Sequence, residues 1–119
     1  MNVSTSIGVP VDTILLANYF GTLVNQVYKI LPMRESSQES LPKYVWRLEA
    51  ELLGCNSLLP SIKEDSYFAS LLSILHYLSE NSADCQIARV KQLVFEAISI
   101  CEKLRDRYAG PVSTEGRSL

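Results

Sequence analysis

The residues of this chain with the means to do chemistry are one histidine, three cysteines and thirteen carboxylates. His76 stands without a Cys–His or Ser–His motif around it. A histidine base or a nucleophile works only when a second group activates and orients it. Carboxylate-bridged di-iron bundles need Glu-x-x-His repeats on facing helices, and one histidine cannot supply them. Glu49 and Glu51 are two residues apart, so on a helix they point to different faces and form no carboxylate pair. The five glycines are scattered and build no phosphate-binding loop.

Cys55, Cys85 and Cys101 are odd in number and far apart, which fits neither a disulfide framework nor a CxxC zinc site. Reduced thiols in a cytoplasmic protein are expected. Cys55 and Cys101 fall at apolar seam positions, where cysteine acts as a small hydrophobe. Cys85 is expected near the start of the last helix, where the helix dipole favours a thiolate and the neighbouring Asp84 opposes it. No catalytic residue, metal or cofactor is therefore expected, and the chain reads as a non-enzyme.

The elements that must position these residues are helical. Apolar residues recur at spacings of three and four, and no alternating β-branched run is present. The spacing predicts an antiparallel, up-down four-helix bundle with helices over about 12–31, 41–59, 66–80 and 83–109. Residues 1–11 and 111–119 are expected to be tails, and 12–110 a single domain; a length of 119 residues suffices for one core without a staple.

The first helix has Pro10 and Asp12 at its start, the seam Leu16, Phe20, Leu23, Val27 and Ile30, and Pro32 as its stop, with a polar loop from Met33 to Glu39. In the second, Ser40 is the expected cap and Pro42 lies in the first turn, followed by Val45, Leu48, Leu52, Cys55 and Leu59. Gly54 weakens its end and Pro60 bounds it. The third is capped by Asp65 or Ser66, carries Phe68, Leu71, Leu75 and Leu78, and stops near Asn81. The fourth opens after Ser82 and carries Ile87, Val90, Val94, Ala97, Cys101, Leu104 and Tyr108 before the Gly110–Pro111 stop.

Charge is divided unequally among these helices. None falls between Asp12 and Lys29 or between Ser66 and Ser79. The fourth helix holds Arg89, Lys91, Glu96, Glu102, Lys103, Arg105, Asp106 and Arg107. An exposed helix normally shows a charged face opposite its apolar stripe. The first helix offers there only Asn18, Thr22 and Asn25. The small pairs Ala17/Gly21 and Ala69/Ser73, flanked by Val24, Tyr28 and Tyr77, are thus expected interface residues. Through them the chain is expected to self-associate, or to dock on a protein partner, as an adaptor, scaffold or accessory subunit.

The alternative is an accessory subunit on nucleic acid, held at phosphates by Arg89, Lys91, Lys103, Arg105 and Arg107, with Arg117 beyond them. Glu102 and Asp106 interrupt that cluster, and a net charge of −2 supplies no global basic field. No run of apolar residues is long enough to span a bilayer, and a basic amphipathic face for a membrane surface is absent. The opening MNVSTSIGVPVD lacks a basic segment and a long apolar run, so a secretory signal is not expected. No small-molecule site is indicated. Tyr44 and Trp46 beside Lys43 and Arg47 admit two roles: packing under the preceding loop, or an exposed anchor for a partner.

Overall fold

The computed structural model describes residues 11–57 and 59–109. These are helical, with no strand among them. Helix α1 spans Val11–Tyr28, α2 Ile30–Glu35, α3 Leu41–Leu53, α4 Ser66–Asn81 and α5 Ile87–Tyr108, with 3-10 turns at Gly54–Ser57 and Pro60–Glu64 between α3 and α4. Pro10, Gly110, Pro111, Arg117 and the expected tails, Val11 apart, lie outside the described residues.

The three-four stripes form the core. Leu16, Phe20, Leu23, Val27 and Ile30 are fully buried, as are Val45, Leu48, Leu52, Leu71, Leu75, Leu78, Val90, Val94, Ala97, Cys101 and Leu104. Helix α1 packs chiefly on α5, α3 on α4, and α4 on α5 as well. Phe20 stacks on Tyr108, Tyr28 meets Phe95 edge to face, and Gly21 faces the stem of Arg105, all across α1 and α5. The Tyr44 hydroxyl donates to the Gln26 carbonyl at 2.7 Å and links α3 to α1.

Several boundaries differ from the sequence expectation, each for a local reason. Pro32 does not end the first helix at residue 31. Lacking an N–H, it cannot donate to the carbonyl of Tyr28, four residues back, and its ring crowds that carbonyl. The helix breaks at Lys29 instead, and Pro32 sits in the first turn of α2, where its missing donor is not needed. Helix α3 ends at Leu53, short of residue 59, because the chain tightens to a 3-10 turn from Gly54. Ser40 makes no side-chain cap, whereas the Asp65 carboxylate accepts from the Tyr67 N–H at 2.9 Å and caps α4. Helix α5 begins at Ile87 rather than residue 83, so Asp84 and Cys85 lie in the preceding turn. Ile87 is 43% exposed and stands outside the seam.

Helix α2 closes with a left-handed residue. Ser37 has φ 53°, the Ser37 N–H donates to the Arg34 carbonyl, and the Gln38 N–H to the Met33 carbonyl. This is the Schellman geometry, and glycine is the residue it favours, because a Cβ is strained there. Gly54, by contrast, has a helical φ of −64° and open space around a would-be Cβ. Ser37→Gly and Gly54→Ala should each stabilise the fold by about 0.5–1 kcal/mol. Chemical denaturation checks this; a lowered midpoint in either variant would contradict the backbone assignment.

Candidate interaction surfaces

The residues with chemical potential are placed apart from one another. His76 lies on the outer side of α4, its Nδ1 3.1 Å from Glu49 Oε2 of α3 and its Nε2 3.4 Å from Glu80 Oε2 one turn on. Both ring nitrogens are thus occupied by carboxylates, with no nucleophile between them. The histidine is a cross-helix tie, and at 58% side-chain exposure it stabilises the fold only slightly. Glu80 was visible at the i+4 spacing. Glu49 was not, because only the packing of α3 on α4 brings it there. No group of three or more His, Cys, Asp or Glu side chains among the described residues is arranged to hold a metal ion.

Cys55 and Cys101 are buried, and Cys85 is half-buried. Cys85 precedes α5 rather than occupying its first turn. Its carbonyl accepts from Arg34 Nη2 at 2.9 Å, which ties α2 to the α4–α5 turn. Burial pushes the Cys55 thiol up to about 11 and the Cys101 thiol up to about 12, away from any reactive thiolate.

The basic residues of α5 do not share a face. Side chains two positions apart diverge by about 160° around the helix, which separates Arg89 from Lys91 and Arg105 from both Lys103 and Arg107. Lys103 and Arg107 lean over the Tyr67 ring of α4, at 5.3 and 5.2 Å from its centroid. Arg107 also pairs with Asp65 Oδ2 at 2.8 Å, which the Tyr108 hydroxyl joins at 3.1 Å. Arg105 turns the other way, its stem beside Gly21 and its Nε 3.2 Å from Asp106. Arg89 donates to Gln92. The expected phosphate-binding cluster is therefore divided between two sides of the helix.

The small-residue pairs fare differently from each other. Ala17 is buried within the chain, and Gly21 and Val24 are partly covered, Gly21 beside the Arg105 stem of α5. Ala69 and Ser73 are exposed on α4, with Tyr77 41% exposed beside them. Tyr28 remains 44% exposed at the end of α1, against a Phe95 that is 50% exposed. Sequence reasoning missed Phe95: its interruption of the α5 charge pattern was the available signal. Ile14 and Leu15 on α1, and Trp46 and Leu53 on α3, are further exposed apolar side chains. Trp46 does not pack under the loop; it is 60% exposed.

No described helix is long and apolar enough to cross a membrane. No family model, curated protein or solved structure matches the chain. These surfaces belong to an all-α fold whose charged helices leave several apolar side chains and the outer strip of Asn18, Thr22 and Asn25 exposed.

Two thiol measurements follow. Iodoacetamide near neutral pH should modify Cys85 well before Cys55 or Cys101, as read by mass spectrometry after short exposure; comparable rates at all three would contradict the burial. A thiol raised from its ordinary 9.0 keeps its proton longer in the fold than in the unfolded chain. Its contribution is complete below about pH 9 and is lost as pH rises towards 11 for Cys55 and 12 for Cys101. Stability should fall over that range, and the fall should be shallower in Cys101→Ala.

Proposed function

We propose that this chain is a non-enzymatic helical interaction module, an adaptor, scaffold or accessory subunit of the cytoplasm, that self-associates through uncharged outer faces. The supporting architecture is an up-down antiparallel bundle. The pairs Phe20–Tyr108, Gly21–Arg105 and Tyr28–Phe95 run with rising numbers on α1 and falling numbers on α5. Asp65 at the start of α4 meets Arg107 and Tyr108 at the end of α5. Tyr44 near the start of α3 meets Gln26 near the end of α1.

The observation that carries the reading is the Tyr28–Phe95 pair. Two large aromatic rings touch across α1 and α5 and remain about half exposed. Beside them Asn18, Thr22 and Asn25 give α1 an outer face with no charge. A partner loses no charge hydration on covering such a face, and aromatic rings are enriched where proteins meet. Ala69, Ser73 and Tyr77 give α4 a second uncharged strip. In an up-down bundle α1 and α4 are diagonal, so the two strips point away from each other and suit assembly on two sides. The contact residues on α1 shift accordingly, from Ala17 and Gly21 to Tyr28 with Phe95.

Light scattering after size exclusion tests this. The expected mass at high micromolar concentration exceeds the 13.3 kDa of one chain. Tyr28→Glu with Phe95→Glu should return it to one chain with helicity unchanged, because both side chains lie half outside the core. A wild-type protein that stays strictly monomeric overturns self-association.

A further inference from the structure

A second surface lies at the start of α3, on residues other than the Tyr28–Phe95 pair. Met33, Ser40, Lys43, Tyr44, Trp46 and Arg47 enclose an open groove of about 290 Å³. Its walls are held before any ligand arrives. The Tyr44 ring is anchored by its hydroxyl to the Gln26 carbonyl at 2.7 Å. The Arg47 guanidinium lies 5.1 Å over that ring, and Met33 packs against the core from α2. Trp46 is the exception. It is the single tryptophan of the chain and is 60% exposed, an area of ring that the fold itself leaves uncovered.

Charge says what covers it. The two charged residues lining the groove are both cations, in a chain whose net charge is −2. Lys43 has no ion-pair partner among the described residues. Arg47 has Glu51 at 3.9 Å, one turn on, with both side chains about half exposed, a contact of little strength that a better-placed carboxylate can replace. Tryptophan and arginine are also the residue types that dominate binding energy at protein contacts.

The geometry points to a docking site for an acidic peptide segment: a bulky apolar side chain of the partner seats against Trp46, Tyr44 and Met33, and its flanking carboxylates pair with Lys43 and Arg47. A lipid surface fits less well. Membrane binding takes a broad basic face, whereas here two cations rim a concavity, on a chain whose net negative charge opposes approach to anionic lipid. The site shares with the proposed function only the class of interaction module, and it stands on different residues.

Trp46 reports its own site, because no other tryptophan contributes to the emission. The probes are a short synthetic peptide interspersing Glu with Leu and Phe, the same peptide with Lys for Glu, and phosphatidylserine–phosphatidylcholine vesicles. The acidic peptide is expected to shift Trp46 emission to shorter wavelength, saturably, and to bind at least about tenfold more tightly than the basic one, with the preference eroded by salt. Lys43→Glu with Arg47→Glu, both surface changes, should reverse that preference. Anisotropy of labelled acidic peptide should fall towards its free value with Trp46→Ala. Equal binding of the two peptides, no saturable shift with the acidic one, or a shift with vesicles alone overturns the proposal. So does an emission maximum that moves on dilution of the protein by itself, since a second copy would then hold the groove. The Tyr28→Glu, Phe95→Glu variant should bind the acidic peptide as the wild type does, so failure of self-association and failure of this site give separate results.

Discussion

Burial of one continuous apolar stripe on α5 is the constraint the rest of the molecule answers to. Val90, Val94, Ala97, Cys101 and Leu104 are fully buried along it. Helices α1, α2 and α4 all pack on this helix, while α3 reaches the core mainly through α4. Each methylene removed from water along such a stripe stabilises by roughly 0.8 kcal/mol, about as much as one good exposed ion pair, and the stripe buries many of them. The polar contacts mainly orient what burial has already brought together. Asp65 does so most fully, capping α4 and receiving both Arg107 and Tyr108 from the end of α5.

Because burial sets the architecture, charge is left to shape the surface. On α5 the cations are divided by helical geometry, and those near its end, Lys103, Arg105 and Arg107, meet Tyr67, Asp106 and Asp65 within the chain. Exposed apolar surface lies at the Tyr28–Phe95 pair on α1 and α5, and at the Trp46 groove, where Lys43 has no ion-pair partner among the described residues. Elsewhere both nitrogens of the histidine face carboxylates, and burial raises the thiols of Cys55 and Cys101.

Backbone chemistry explains where boundary expectations held and where they did not. Gly54 weakened its helix as its propensity requires, and Asp65 capped as its short carboxylate allows. Pro32 misled, since the effect of a missing N–H falls on the carbonyl four residues earlier rather than on the residue before it. Ser37 could not be read as a left-handed residue, because serine has no special preference for that conformation. Ser40 has the right side chain for a cap, but its backbone is helical where a cap is normally extended.

The sequence by itself determined the helical class, the apolar stripes, the absence of charge between Asp12 and Lys29 and the set of residues available for chemistry. These follow from spacing and side-chain type, which are local. Tertiary structure alone decided that Ala17 is buried and Gly21 faces Arg105 within the chain, that Tyr28 meets Phe95, that Glu49 meets His76, and that Trp46 stays outside with Lys43 and Arg47 beside it. Each of these depends on how far one helix is rotated and shifted against another. That is settled by the packing of many side chains at once, so no single stretch of sequence contains it.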